Sequence, residues 1–319
     1  MIRSNNSNII EKEKGRIHYE TIWAKITAFF MSIVAFFTGL FSGGKQPADP
    51  TPTPEPTQPV VVEPARLDLT GYNLYFYDEF DGDALNYNDW GDVNVGPKGS
   101  GFLSPEEISV QDGKLIITAE YLENGAFGEG WYSARVRLRK EYIRGYFEIR
   151  CKCNECSHPY QDYWSGFWLQ SVNSASHESS NGGIGGAEID IMEAYHWDET
   201  QKSSITVNIF CNGADDRPND YEHLEVGRYH VDNLYTAYHT FGLKWTEEAY
   251  IFYIDGVEVG RSSFERGVSQ RPETLLVGMS SGTVNQPRDY RAQFLVDYVK
   301  VYQMGEENYQ IGYNAGIGY

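Results

Sequence analysis

Three carboxylates lie close together in the run GGAEIDIMEAY, which spans residues 185–195. On a regular strand the side chains of Glu188 and Asp190 share a face, because residues i and i+2 point the same way. Glu193 would fall on the opposite, apolar face. A one-residue bulge at Ile191-Met192 would turn Glu193 back toward the other two. The spacing therefore predicts a bulged strand that presents three carboxylates together.

This arrangement suits acid–base chemistry at a glycosidic bond. The Cα atoms of Glu188 and Glu193 would lie about 13 Å apart, and side chains leaning inward could bring their carboxyl groups to about 5–6 Å. A retaining glycosidase needs about 5–5.5 Å between a nucleophilic carboxylate and an acid that protonates the leaving oxygen. Asp190 would couple the two titrations and could hydrogen-bond the nucleophile. The other interpretations are a solvated acidic strand and a cation site.

The run EIDIME resembles the signature of glycoside hydrolase family 16, in the bulged form of its laminarinase-like members. Six further runs resemble strands of that family and follow its order: FYDEFDG (76–82), YSAR (132–135), GYFEIR (145–150), GFWL (166–169), HTFGLKW (239–245) and VDYVKVY (296–302). The resemblance covers most of residues 70–303. It implies an all-β fold, a concanavalin-like β-jelly roll sandwich of two curved antiparallel sheets.

The resemblance also implies retaining, endo-acting hydrolysis of a β-glycan. Glu188 matches the nucleophile, Asp190 the assisting carboxylate and Glu193 the acid/base. The expected substrate is β-1,3-glucan or mixed-linkage β-1,3-1,4-glucan, and no catalytic cofactor is expected. The alternatives are a β-galactan or host-glycan hydrolase, a transglycosylase of the same fold, and a non-catalytic carbohydrate-binding jelly roll.

Candidate substrate-binding residues also follow from the resemblance. Trp168 matches an aromatic residue of the cleft, although core packing is its alternative. Arg135 and Asn208 lie on matching strands and could hydrogen-bond sugar hydroxyls, or could be ordinary strand residues.

A structural calcium ion is implied in the same way. Glu79, Gly113 and Asp297 match positions that hold calcium in many family members, partly through backbone carbonyls. Oxygen ligands and an acidic chain suit Ca²⁺.

Three departures from the family pattern concern the substrate and leave the mechanism intact. The run GGIGG (182–186) stands where members often place a Trp. Asn208 stands where laminarinase-like members commonly have His. The segment CKCNECSHPYQDY (151–163) is an unusual insertion before the GFWL strand.

Short β-rich runs broken by Gly, Asn and Asp support the fold independently. Strands are predicted at Lys114–Tyr121, Tyr146–Lys152, Ser203–Phe210 and Phe294–Tyr302, and a hairpin over Ala249–Val259 turns at Asp255-Gly256. No long stretch has helical periodicity. A sandwich of about 235 residues is large enough for a substantial core.

Composition limits the partners. The 319 residues carry 26 Lys and Arg against 45 Asp and Glu, a net charge of −19, which opposes nucleic-acid binding. An acidic surface tolerates neutral polysaccharides, but it disfavours sulfated ones unless basic residues gather locally. The 24 Tyr suit either carbohydrate contact or ordinary strands.

The N-terminal part predicts export. Residues 1–20 form a cytoplasmic segment, and 21–41 a signal-anchor or a cleaved signal peptide. The Pro/Thr-rich stretch 42–66 is a linker, 67–304 the catalytic domain, and 305–319 a Gly/Tyr-rich tail without an assigned role. The expected protein is a monomer at the cell surface, held to the membrane by its N-terminal segment or secreted if that segment is cleaved.

Four cysteines, Cys151, Cys153, Cys156 and Cys211, remain open to three interpretations. Two disulfides suit an exported domain, a zinc site is a second possibility, and free thiols are the third. None of the three is catalytic.

Overall fold

Strands make up most of the regular structure. The computed structural model describes residues 64–156, 158–159, 161–171, 182–214, 217–264, 267–305 and 310–313. The strands of these residues are β1 (Tyr72–Asp78), β2 (Trp90–Asp92), β3 (Gly96–Lys98), β4 (Gly101–Leu103), β5 (Ile108–Val110), β6 (Leu115–Gly125), β7 (Gly128–Ser133), β8 (Arg135–Tyr142), β9 (Gly145–Lys152), β10 (Tyr163–Gln170), β11 (Glu188–Glu193), β12 (Ser204–Ala214), β13 (Arg217–His230), β14 (His239–Trp245), β15 (Tyr250–Ile254), β16 (Val257–Ser262), β17 (Glu273–Ser281), β18 (Arg291–Met304) and β19 (Gln310–Tyr313). The helices of the same residues are three short 3₁₀ turns: Pro105–Glu107, Gly182–Gly185 and Glu199–Gln201.

The strands form two sheets. One sheet has the order β16-β15-β14-β9-β18-β6-β7-β4-β3, with β1 beside β18 and β5 beside β6. The other has the order β13-β12-β11-β10-β17-β8-β19, with β2 beside β8. Most neighbours pair antiparallel, and β4 and β7 pair in parallel. The predicted all-β architecture is confirmed.

The core lies between the inner faces of the two sheets. Phe147 and Ile149 of β9 face inward from the first sheet, and Phe167 and Leu169 of β10 face inward from the second; all four are fully buried. Burial of each such side chain contributes about 1.5–3 kcal/mol to folding. The side chains that alternate with Phe167 and Leu169 therefore lie on the outer face of the second sheet.

The predicted strands are confirmed, with ends that differ by a few residues. They correspond to β6, β9, β12 and β18, and the predicted hairpin is β15 and β16. Asp255 and Gly256 have φ angles of 49° and 72°, the left-handed backbone that a two-residue hairpin turn of type I′ requires.

The C-terminal segment 305–319, which was expected to be a tail without an assigned role, contains a strand. Gln310–Tyr313 forms β19, which pairs with β8 at the edge of the second sheet. The cytoplasmic segment, the anchor or signal peptide and nearly all of the linker lie outside the described residues. Within the part that is described, no helix is both long and apolar enough to cross a membrane.

The four cysteines are buried thiols, and none of them is joined in a disulfide. The Sγ of Cys153 lies 3.8 Å from the Sδ of Met192 in β11, and burial raises the pKa of Cys151 and Cys156. No group of three or more His, Cys, Asp or Glu side chains among the described residues could hold a metal ion. These thiols therefore act as small apolar core groups.

Candidate active site

The bulge in β11 is confirmed by the strand register. Asp190 pairs with Trp168 of β10 and Asn208 of β12, whereas Glu193 pairs with Gly166 and Thr206. Two residues of β11 therefore stand opposite a single residue of each neighbouring strand. The extra residue reverses the side-chain alternation, so Glu193 returns to the face of Glu188 and Asp190.

All three carboxylates line one cleft on the outer face of the second sheet. Its large part, of about 520 Å³, is lined by Val93, Asn94, Lys98, Arg135, Trp164, Gly166, Trp168, Gln170, Glu188, Asp190, Glu193, Ser280 and Ser281. Its small part, of about 180 Å³, is lined by Pro159, Trp164, Tyr195, Trp197, Phe210 and the same three carboxylates. The carboxylates thus stand between two spaces that could each receive sugar.

Burial and the positively charged neighbours of Glu188 have opposite effects on its pKa. Burial and the charge of Glu193 raise the pKa of Glu188 to about 7. The charges of Arg135 and Lys98 oppose that rise, as does Gln170, whose Nε2 donates to Glu188 Oε2 at 2.6 Å. These partners favour the ionised form that a nucleophile needs.

Glu193 is held by donors on both sides. Trp164 Nε1 donates to its Oε1 at 2.9 Å, and Asn208 Nδ2 donates to its Oε2 at 2.7 Å. Burial raises the pKa of Glu193, while these hydrogen bonds and one from Asp190 lower it. The Asn208 Oδ1 accepts in turn from His223 Nε2 at 3.0 Å, which fixes the orientation of the amide.

Asp190 is the most deeply placed of the three carboxyls. Burial, the charges of Glu193 and Glu188, and its hydrogen bond to Glu193 raise the pKa of Asp190 well above its usual range. The same hydrogen bond lowers the pKa of Glu193, so Asp190 favours the ionised form of Glu193. The sequence suggested such a bond to the nucleophile, whereas the structure directs it to the predicted acid/base.

Arg135 and Trp168 form the floor of the large part. The guanidinium donates from Nη2 to Ser280 Oγ at 2.9 Å and lies 5.6 Å from the centre of the Trp168 ring. Trp168 packs with Val93 and Leu276 and is only 7% exposed. The Trp168 ring is thus in the cleft, as the sequence predicted, but mostly covered.

Asn208 is placed differently from a sugar ligand. It is 2% exposed, and its amide contacts Glu193 and His223. From this position Asn208 orients a carboxylate.

Sequence reasoning missed several residues of the cleft: Lys98, Trp164, Gln170, Tyr195 and Trp197. Trp164 and Gln170 could have been found, because they alternate with Gly166 and Trp168 along the strand that pairs with β11. Lys98 and Trp197 lie outside that strand pair, and alternation gives no indication of them.

Two of the three predicted calcium ligands, Glu79 and Gly113, lie next to each other. The Glu79 carbonyl oxygen lies 4.0 Å from where a Cβ would stand on Gly113. A hydrogen bond with Glu79, then burial and the charges of Glu79 and Asp297, raise the pKa of Tyr77 to about 12. Asp297 Oδ2 pairs with Arg150 Nη1 at 2.5 Å. Two carbonyls and a carboxylate are a donor set that suits Ca²⁺, although Arg150 takes one oxygen of Asp297.

Residues 73–304 match the family model described as the beta-porphyranase A-D, GH16 domain. The match covers well over half of the chain. The chain therefore belongs to glycoside hydrolase family 16, and the predicted family and enzyme class are confirmed.

Two proteins of Rhizobium meliloti (strain 1021) are similar in sequence. The endo-1,3-1,4-beta-glycanase ExsH is 24% identical over 220 residues, which are 66% of this chain and 42% of ExsH. The endo-1,3-1,4-beta-glycanase EglC is 24% identical over 240 residues, 72% of this chain and 47% of EglC. The chain thus spans about half the length of these curated relatives.

The crystal structure of LamAcat from Zobellia galactanivorans has a similar fold. It superposes with a TM-score of 0.58 at 22% identity, covering 72% of this chain and 97% of that chain. The predicted jelly roll is thereby confirmed.

Proposed function

We propose that this chain is a retaining, endo-acting β-glycan hydrolase. The observation that carries the proposal is the bulge, which brings Glu188, Asp190 and Glu193 to one face of a cleft with space on both sides. An endo-acting enzyme needs room for sugar units on each side of the cleaved bond. An intact set of three supported carboxylates argues against a purely carbohydrate-binding role.

The proposed roles give a reaction of two steps. The Glu188 carboxylate attacks the anomeric carbon while Glu193 gives its proton to the glycosidic oxygen, so the leaving sugar departs with that proton. Glu193 then takes a proton from water, whose oxygen attacks the anomeric carbon and releases Glu188. The hydrogen bond between Asp190 and Glu193 lowers the pKa of Glu193 and so favours the ionised form that exists after Glu193 has given up its proton. No cofactor takes part.

Two candidate substrates are supported by different observations. The names of ExsH and EglC support a β-1,3-1,4-glucan, which is the substrate expected from the sequence. The beta-porphyranase name of the family model supports a β-galactan of the porphyran type. Lys98 and Arg135 gather positive charge in the cleft, which would also admit an anionic glycan.

The test is a substrate panel with matched variants. The full chain is incubated with laminarin, mixed-linkage glucan, agarose, carrageenan, porphyran and keratan, and released oligosaccharides are sized by chromatography. We expect mixed chain lengths from either the glucans or the galactans. Glu188→Gln and Glu193→Gln should each lower kcat about 10³-fold or more while remaining folded. No release from any glycan, or undiminished activity in both variants, would overturn the proposal.

We also propose, from the sequence, a bound calcium ion and attachment to the membrane. Calcium would be held by the carbonyls of Glu79 and Gly113 and the carboxylate of Asp297, beside β18 of the first sheet, where its role would be structural. A cell-surface location would follow from the predicted anchor at residues 21–41.

A further inference from the structure

The small part of the cleft is aromatic where the large part is mainly polar. Beside the three carboxylates, it is lined by Trp164, Tyr195, Trp197, Phe210 and Pro159. Pyranose rings have apolar C–H faces that stack on aromatic rings, so such a lining suits a sugar unit.

Trp197 is the exposed ring of this group. Trp197 is 44% exposed. The centre of its ring lies 5.6 Å from that of Tyr195 and 5.2 Å from that of His158, and both of these rings are nearly perpendicular to it. Its backbone N–H donates to Gln201 Oε1 at 3.1 Å. The ring is therefore supported at fixed positions while a large part of its surface faces solvent.

Tyr195 links this ring to the catalytic centre. The centre of its ring lies 5.5 Å from that of Trp164. Trp164 in turn donates a hydrogen bond from Nε1 to Glu193. Arg228 lies over the Tyr195 ring at 5.1 Å and donates to the Tyr195 carbonyl at 2.8 Å. The aromatic group is thus continuous with the side chain that supports the acid/base.

The two parts of the cleft can be assigned to the two sides of the cleaved bond. The large part contains Gln170 and Arg135, the partners of the nucleophile Glu188. The small part continues from Glu193 to Tyr195 and Trp197 along the chain. The sugar that Glu188 attacks belongs in the large part, and the sugar that Glu193 protonates belongs in the small part.

We propose that Trp197, supported by Tyr195, is the platform on which the leaving-group sugar stacks, and on which an acceptor sugar stacks when the glycosyl-enzyme is transferred instead of hydrolysed. This inference rests on the proposed function and names a specificity-determining residue for it. In the transfer, an acceptor hydroxyl gives its proton to Glu193. The acceptor oxygen bonds to the anomeric carbon as the ester bond to Glu188 breaks.

The insertion at residues 151–163 contributes to the small part of the cleft. It supplies Pro159 to the lining and His158 to the support of Trp197. The segment that departs most from the family pattern therefore shapes the leaving-group side of the cleft.

The experiment compares two kinds of substrate in Trp197→Ala. One is a hexasaccharide of the glycan that the wild type cleaves, which occupies both parts of the cleft. The other is the β-fluoride of the matching disaccharide, whose leaving group is a single atom. We expect kcat/KM on the hexasaccharide to fall about tenfold, which corresponds to about 1.4 kcal/mol, and the yield of transfer products to fall with it. Hydrolysis of the fluoride should stay within about twofold of the wild type.

Two controls make the result specific. Phe127→Ala removes a ring that is 41% exposed and outside the cleft lining, and should change neither substrate. Trp197→Phe keeps a stacking face and should recover most of the hexasaccharide activity.

Each outcome has one meaning. Equal losses on both substrates, or no loss on either, would overturn the role of Trp197 while leaving the hydrolase function in place. A wild type inert on all glycans and on the fluoride would instead overturn the function itself.

Discussion

A carboxyl group that attacks and a carboxyl group that donates a proton must hold different charges in the same cleft. Here burial and neighbouring residues act differently on the two groups. Gln170, Lys98 and Arg135 favour an ionised Glu188, whereas burial raises the pKa of Glu193 and favours its protonated form. The identity of the three carboxylates could be read from the sequence, but these partners come from other strands and loops, and their contacts depend on the folded register.

Lys98 provides a test of this balance at the residue scale. Its charge lowers the pKa of Glu188, so Lys98→Gln should raise that pKa from about 7. Glu188 must be ionised to attack, and the acidic limb of the kcat/KM profile should therefore move to higher pH, by about 0.3–0.5 units for an exposed charge.

The measurement is kcat/KM against pH at low ionic strength. Lys140→Gln removes a lysine outside the cleft lining and should leave the limb in place. A limb that moves to lower pH, or that moves equally in both variants, would contradict the assigned role of Lys98.

At the scale of the element, β11 shows what a sequence pattern can establish. The i, i+2 alternation and the offset of Glu193 were enough to predict the bulge, because only one extra residue restores a common face. The Asp255-Gly256 turn was predictable for a similar local reason. The covering of Trp168 by Arg135 and Val93 was not, since it depends on strands and loops distant in sequence.

Glu273 was not predictable either. It begins β17 as a charged residue, yet its side chain is completely buried. Its Oε1 accepts from the backbone N–H of Ala187, directly before the proposed nucleophile Glu188, and this bond and one with Ser269 oppose the effect of burial. Burial raises the pKa of Glu273 to about 8, so the carboxyl is protonated in the folded state at neutral pH.

This burial predicts a pH dependence of stability. The unfolded chain releases the Glu273 proton near pH 4.5, whereas the folded protein releases it only near pH 8. Between these values the unfolded state binds fewer protons, so the free energy of unfolding falls as pH rises. Glu273→Gln should stabilise the protein by about 2–4 kcal/mol at pH 9 and by little at pH 4.

Urea unfolding at the two pH values measures this difference. Glu123→Gln, at an exposed position of β6, should change neither value. A Glu273→Gln variant that is less stable than the wild type at pH 9 would contradict the buried, protonated carboxyl.

At the scale of the whole molecule, the two sheets have different roles. The first sheet closes the core and carries the proposed calcium ligand Asp297 on β18. The second carries the cleft on its outer face. The two-sheet jelly roll was implied by the family resemblance, whereas the pairing of Gln310–Tyr313 with β8 was not foreseen, because the Gly/Tyr-rich run lacks a clear alternating pattern.

The proposed calcium ion predicts a stability effect without a direct catalytic effect. EDTA should lower the Tm of the full chain by several degrees, and added Ca²⁺ should restore it, because an ion that binds only the folded state stabilises it. Asp297→Asn should reduce the response to both. An equal Tm with and without the chelator would contradict a calcium site at Glu79, Gly113 and Asp297.

The central claim is that Glu188 is the nucleophile and Glu193 the acid/base of a retaining enzyme. The most direct test is the anomeric configuration of the glycosyl azide formed when azide rescues each alanine variant on an activated aryl glycoside, read by proton NMR. Glu193→Ala still forms the glycosyl-enzyme on Glu188, so azide should give the β-azide. Glu188→Ala lacks the nucleophile, so azide should attack from the opposite face and give the α-azide. The reverse pair of products, or one configuration from both variants, would contradict the assignment.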